Sequence, residues 1–125
     1  MISFLKGDGV TLGPVPKGAP LPSLALKSPE PAGVLAIDLA AWSDEGRLEA
    51  IVSLGPIDWL RRSAGLTARG RVDGPLISLA LHYAFVELNL ERVDTDPVQA
   101  ALRPALEAAG FAPAGDRWSC LKPPA

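Results

Sequence analysis

Between residues 7 and 33 the chain carries Pro14, Pro16, Pro20, Pro22, Pro29 and Pro31, nearly half of its thirteen prolines. A proline has no N–H to donate and its ring collides with the preceding helical turn, so this quarter excludes a long helix. It must be built from strands and loops. The apolar spacing predicts a short strand over residues 2–5 and 10–12, interrupted at Gly7-Asp8-Gly9, and another over 23–27, with Ser28-Pro29-Glu30-Pro31 as a turn.

The next apolar run, residues 34–42, is bounded by turn residues and short enough to favour a strand. Ser43-Asp44-Glu45-Gly46 is the following turn, and residues 47–54 close a hairpin that Gly55-Pro56 ends. Residues 57–74 read as a short helical turn capped by Asp58, then a loop carrying Arg61, Arg62, Arg69 and Arg71. Residues 76–90 form an apolar helix with Ile77, Leu81, Ala84 and Leu88 on one stripe. After an extended stretch at 91–95, Asp96 reads as an N-cap, with Pro97 in the first helical position and Gln99 completing a capping box. That helix runs to Ala109, kinks at Pro104 and stops at Gly110; one or two short strands finish the chain.

At 125 residues the chain supports one domain spanning 1–125. With 48% hydrophobic residues it is apolar for its size, so a partner chain is expected to cover part of its surface. A formal charge of −2 provides no global field for nucleic acid or an anionic membrane. The single cysteine, Cys120, cannot make an internal disulfide and has no neighbouring metal ligands in sequence, so no metal site is expected. No targeting segment or bilayer-length apolar run is legible, and a cytoplasmic location is the expectation. His82 reads as a structural histidine, while Trp42, Trp59 and Trp118 read as core aromatics.

Two segments narrow the choice among α/β layers. Tyr83-Ala84-Phe85-Val86-Glu87-Leu88-Asn89-Leu90-Glu91-Arg92-Val93 resembles the helix-to-strand passage of GNAT N-acetyltransferases of the RimJ/RimL-like branch. Leu106-Glu107-Ala108-Ala109-Gly110-Phe111 is similar to the end of a later helix in that branch. Upstream, Gly9-Val10-Thr11-Leu12-Gly13-Pro14 resembles its opening strand, and the apolar runs 31–37 and 47–56 resemble its central hairpin. The resemblance implies an α/β (α+β) fold, with a mixed, mostly antiparallel sheet flanked by two main helices. The helices that the family places between its first two strands are missing.

By the same resemblance, acetyl-coenzyme A is the co-substrate and an amine is the acceptor. Its pantetheine arm would pair with a strand splayed open near Ile51, Val52, Ser53 and Leu54. Its diphosphate would lie on Arg69, Gly70, Arg71 and Gly74, where backbone amides and a helix N-terminus favour an anion. Gln99 falls at a cofactor-contacting position, and Glu49 would deprotonate the amine through water. A second subunit, in a homodimer, would complete the acceptor pocket. The sequence departs from the family at Val72, which replaces a loop glycine, and at Leu106, which replaces a tyrosine that protonates the leaving thiolate. These departures define the rival reading, a non-catalytic GNAT-like binding or structural module.

Overall fold

The turn at residues 44–47 joins β4 (Ile37–Ser43) to β5 (Leu48–Asp58), the antiparallel hairpin expected there. The computed structural model describes residues 5–6, 9–18, 22–29, 35–98 and 100–123. Around the hairpin, the described residues form one nine-stranded sheet. Its other strands are β1 (Leu5–Lys6), β2 (Val10–Gly13), β3 (Leu24–Lys27), β6 (Ser63–Gly70), β7 (Arg92–Pro97), β8 (Ala112–Ala114) and β9 (Arg117–Leu121). The spatial order is β1-β2-β4-β5-β6-β3-β7-β9-β8, with β6 also touching β7. Every pairing is antiparallel except β6 with β7. A parallel pair needs a crossover, and helix α1 (Gly74–His82) supplies it.

Alternation along the strands sorts the sheet into two faces. Leu12, Leu39, Val52, Leu54, Leu66 and Ala68 point inward and form one core with Leu76, Ile77, Leu79 and Ala84. Leu106, on helix α2 (Arg103–Ala109), joins the same core, so both helices cover this face. The alternate positions are mixed: Ala25, Ala40 and Ile51 are buried outside that core, while Ser53 Oγ donates to Asp38 Oδ1 at 2.6 Å and Thr67 and Arg69 follow on β6. Neither described helix packs there. Among the described residues between β2 and β3, where the resemblance would place helices, there is none.

Several elements differ from the sequence expectation. The loop expected over 57–74 contains β6, which is central to the sheet. Gly55-Pro56 does not end β5; an irregularity between Leu54 and Ile57 absorbs the residue that cannot join the ladder, and the strand continues to Asp58. The helix expected over 76–90 is α-helical to His82 and then widens into a π turn over Tyr83–Glu87. Asp96 caps no helix: β7 continues through Pro97, and a 3₁₀ turn at Ala100–Leu102 precedes α2. Pro104 therefore lies in the first turn of α2, where its missing N–H costs nothing, and it makes no kink. Gly110 ends α2 in the left-handed conformation (φ 108°), as expected.

Candidate functional site

Strands β6 and β7 begin side by side, with Ser63 opposite Arg92, Ala64 opposite Val93 and Gly65 opposite Asp94. Beyond Gly65 they part, opening a wedge whose β6 side leads into the N-terminus of α1. Strand β3 lies in this wedge. It pairs with β6 through Leu24–Arg69 and Leu26–Ala68, and with β7 through Leu26–Pro97 and Lys27–Asp96.

The hydrogen bonds run the length of the insert. Gly70 N–H donates to Ser23 O at 2.7 Å, and Val98 N–H donates to Ala25 O at 3.0 Å. The buried Thr95 hydroxyl reaches across the wedge, 2.8 Å from Leu66 O on β6 and 3.4 Å from Lys27 O on β3. At the vertex Ser28 N–H donates to Thr67 Oγ1 at 3.1 Å, and Ser28 lies where a Cβ on Gly65 would stand. Leu26 anchors the strand in the core with 1% of its surface exposed.

At the other end of β6 the groups expected to receive an anion also have partners within the chain. The Asp73 carboxylate caps α1, accepting from Leu76 N–H at 3.1 Å, the position where a helix N-terminus would receive a phosphate oxygen. Arg71 N–H donates to Glu49 O at 3.0 Å, and Gly70 N–H is held by Ser23. A pocket of about 380 Å³ beside this turn is lined by Arg47 and Arg71 but also by Asp44, Glu45, Glu49 and Asp73. Four carboxylates against two guanidinium groups leave it net acidic.

The sequence-predicted site residues are placed as follows. Ile51, Val52, Ser53 and Leu54 are not splayed open: each pairs with β4 on one side and β6 on the other, so their ladder groups are already used. The opening lies one strand further on, along β6. The four arginines do not cluster, because β6 separates Arg61 and Arg62, on the β5–β6 turn, from Arg69 and Arg71 by about 23 Å of extended chain. Arg69 lies on the sheet face away from the helices, opposite Ile51, and only Arg71 flanks the start of α1. Gly70 (φ 98°) makes the turn out of β6, with the Glu49 carbonyl 2.5 Å from where a Cβ would stand, and Gly74 opens α1. Gln99 lies outside the described residues.

Glu49 is the extra residue of a β-bulge between Ala50 and Leu48, and it neighbours Arg71 and Asp73. That places it about 17 Å along β6 from the vertex at Gly65. Leu106 is fully buried in the core. His82 is exposed on the last turn of α1, Trp59 is half exposed on the β5–β6 turn, and Trp42 and Trp118 are partly buried. Burial raises the Cys120 thiol pKa above its ordinary 9.0, which disfavours the reactive thiolate. No cluster of metal-ligating side chains occurs among the described residues.

The groups that the fold does bring to the vertex were not singled out from sequence. Asp94 is buried at 4% exposure, and its carboxylate accepts from Ser119 Oγ at 2.6 Å, with Arg92 Nε at 3.2 Å and Arg117 Nη1 at 3.7 Å. It borders a cavity of about 610 Å³, also lined by Gly65, Ser63, Arg92 and the exposed Trp59-Leu60 turn. An aspartate alternating with Val93 and Thr95 was the available signal, but nothing local distinguished it from a solvated strand carboxylate.

A mostly antiparallel sheet with two helices on one face, and a parallel pair that parts ahead of a helix N-terminus, is a GNAT-like α/β fold. Solved structures agree. A chimera of the Vibrio cholerae spermidine N-acetyltransferase SpeG with hSSAT superposes with a TM-score of 0.62 at 20% identity, covering 69% of this chain and 67% of that one. The dodecameric spermidine N-acetyltransferase from Vibrio cholerae in an intermediate state gives a TM-score of 0.61 at 20% identity, covering 69% of this chain and 64% of that one. This chain thus spans about two thirds of the length of those proteins. No protein-family model and no curated protein matches it.

Proposed function

We propose that this protein is an acyl-coenzyme A-binding domain of the N-acetyltransferase type, acting on an amine. The observation that carries the reading is the wedge between β6 and β7, which opens toward the N-terminus of α1. An extended pantetheine arm fits such a gap because β6 can offer it one edge of a ladder, as it offers β3 now. The coenzyme's diphosphate would then meet Arg71 and the amides around Gly70 and Gly74. The solved structures described above are acetyltransferases that act on spermidine, which supports an amine as acceptor.

Acetyl-coenzyme A at a hundred times its dissociation constant should add about 2.7 kcal/mol of stability, read as a rise in melting temperature. Arg71→Ala should reduce the rise. No rise in the protein, nor in a variant with a loosened β3, would retire the reading.

A second reading has its own support. The Asp73 carboxylate on α1, β3 in the wedge and leucine at position 106 all remove parts of a transferase, which suits a non-catalytic module of the same fold. Either protein is proposed to pair with a second copy, because Leu60 (98% exposed) and the half-exposed Trp59 present apolar surface on one turn. Light scattering should then give twice the 13.1 kDa of one chain, and a single-chain mass at all concentrations would rule the pair out.

A further inference from the structure

We infer that β3 is an intramolecular stand-in for the extended arm of the ligand, so that binding in the wedge and pairing of β3 are mutually exclusive. The inference rests on the acyl-coenzyme A reading and adds its regulation. Three observations carry it. The first is location: β3 pairs with the diverging part of both walls, at Leu24–Arg69 and Leu26–Ala68 on one side and Leu26–Pro97 and Lys27–Asp96 on the other. The second is chemistry. Gly70 N–H and Val98 N–H donate to carbonyls of Ser23 and Ala25, the kind of bond an amide-bearing pantetheine arm would accept from the same walls.

The third is the strength of the attachment. The bonds that hold residues 22–28 include main-chain bonds to both walls and the hydroxyls of Thr67 and Thr95, and Ala25 and Leu26 are buried, but no disulfide ties the segment down. Exchange of β3 for a ligand requires that this four-residue strand open locally, at a cost below that of unfolding the sheet. The wedge itself does not depend on β3 at its vertex, where β6 and β7 pair directly over Ser63–Gly65 and Arg92–Asp94.

The linkage has a definite sign. If only the fraction of molecules with β3 released can bind, the apparent dissociation constant exceeds the intrinsic one by the reciprocal of that fraction. Any substitution that loosens β3 without disturbing β6 tightens binding by the factor by which it raises that fraction. By reciprocity, the ligand must release β3.

The test measures acetyl-coenzyme A binding by calorimetric titration of the wild-type chain, Leu26→Ala and Leu26→Val, alongside hydrogen exchange of the amides in residues 22–28. Leu26→Ala removes the anchor and is expected to tighten binding tenfold or more. Leu26→Val shortens the same anchor by one methylene without touching the hydrogen bonds of β6, and should tighten binding severalfold, so it carries the test if Leu26→Ala does not fold. In the wild-type chain, millimolar acetyl-coenzyme A should speed exchange in residues 22–28 while slowing it along residues 67–71. Equal affinity in all three proteins, or β3 amides that stay protected in the complex, would overturn the inference and leave coenzyme binding intact. Absence of binding in all three would overturn the acyl-coenzyme A reading, and this inference with it.

Discussion

Leu106→Ala should cost about 2 to 5 kcal/mol of unfolding free energy, the range for emptying a leucine-sized space in a packed core. Leu106 has no exposed surface and lies in the cluster that joins α2 to α1 and the sheet. Its carbonyl accepts from Phe111 N–H at 2.9 Å, so the residue also holds the exit from α2 in place. Urea denaturation followed by tryptophan fluorescence should show a lower midpoint at unchanged slope. Since small domains have roughly 5 to 15 kcal/mol in total, the loss would be a large part of the whole. Leu106→Tyr should also destabilise, by about 1 to 3 kcal/mol, because a larger ring and a hydroxyl must enter filled space. A cost below 1 kcal/mol for the alanine variant would mean that this face of α2 is not core.

This position illustrates what the sequence made legible. The resemblance located residue 106 correctly on a late helix but led attention to the chemistry missing there, while the leucine's packing role was visible in its spacing with Leu102 and Ala109. Likewise the segment 23–27 was readable as a strand, since Leu24 and Leu26 alternate, yet nothing local states which strands it joins. Neighbours in a sheet are set by tertiary pairing, and β3 enters between two strands that follow it by some forty and seventy residues.

The miss at β6 has a compositional cause. Ser63-Ala64-Gly65-Leu66-Thr67-Ala68-Arg69-Gly70 has one large apolar side chain, so its hydrophobic alternation is faint, and two glycines argue for a loop. The structure uses small residues there because the strand is covered by helices on one face and crossed by Ser28 at its vertex. The failure at Asp96 is a contest between two prolines. Pro97 with Asp96 and Gln99 makes a good local start signal, but Pro97 is drawn into pairing with Leu26, and Pro104 opens the helix seven residues later. Both errors fell beside the wedge, where tertiary pairing outweighs local preference.

Gly65→Ala is expected to destabilise the sheet at the vertex, by about 1 to 3 kcal/mol. In a permissive site the same change stabilises by about 0.4 to 1 kcal/mol, because alanine narrows the unfolded ensemble. Here the new methyl would collide with Ser28 Oγ, come within 2.7 Å of Ser28 Cβ and lie 2.9 Å from the Gly55 carbonyl oxygen. The first two contacts belong to the end of β3, which can yield; the third is backbone of the adjacent β5. Relief should therefore be partial. Adding Ser28→Gly should recover at least about 0.5 kcal/mol beyond additivity, the coupling expected of residues in contact, without restoring wild-type stability. Strict additivity would show that Ser28 is not held over the vertex. A recovery to full stability would show that the Gly55 carbonyl gives way, and that the vertex is softer than its paired strands imply.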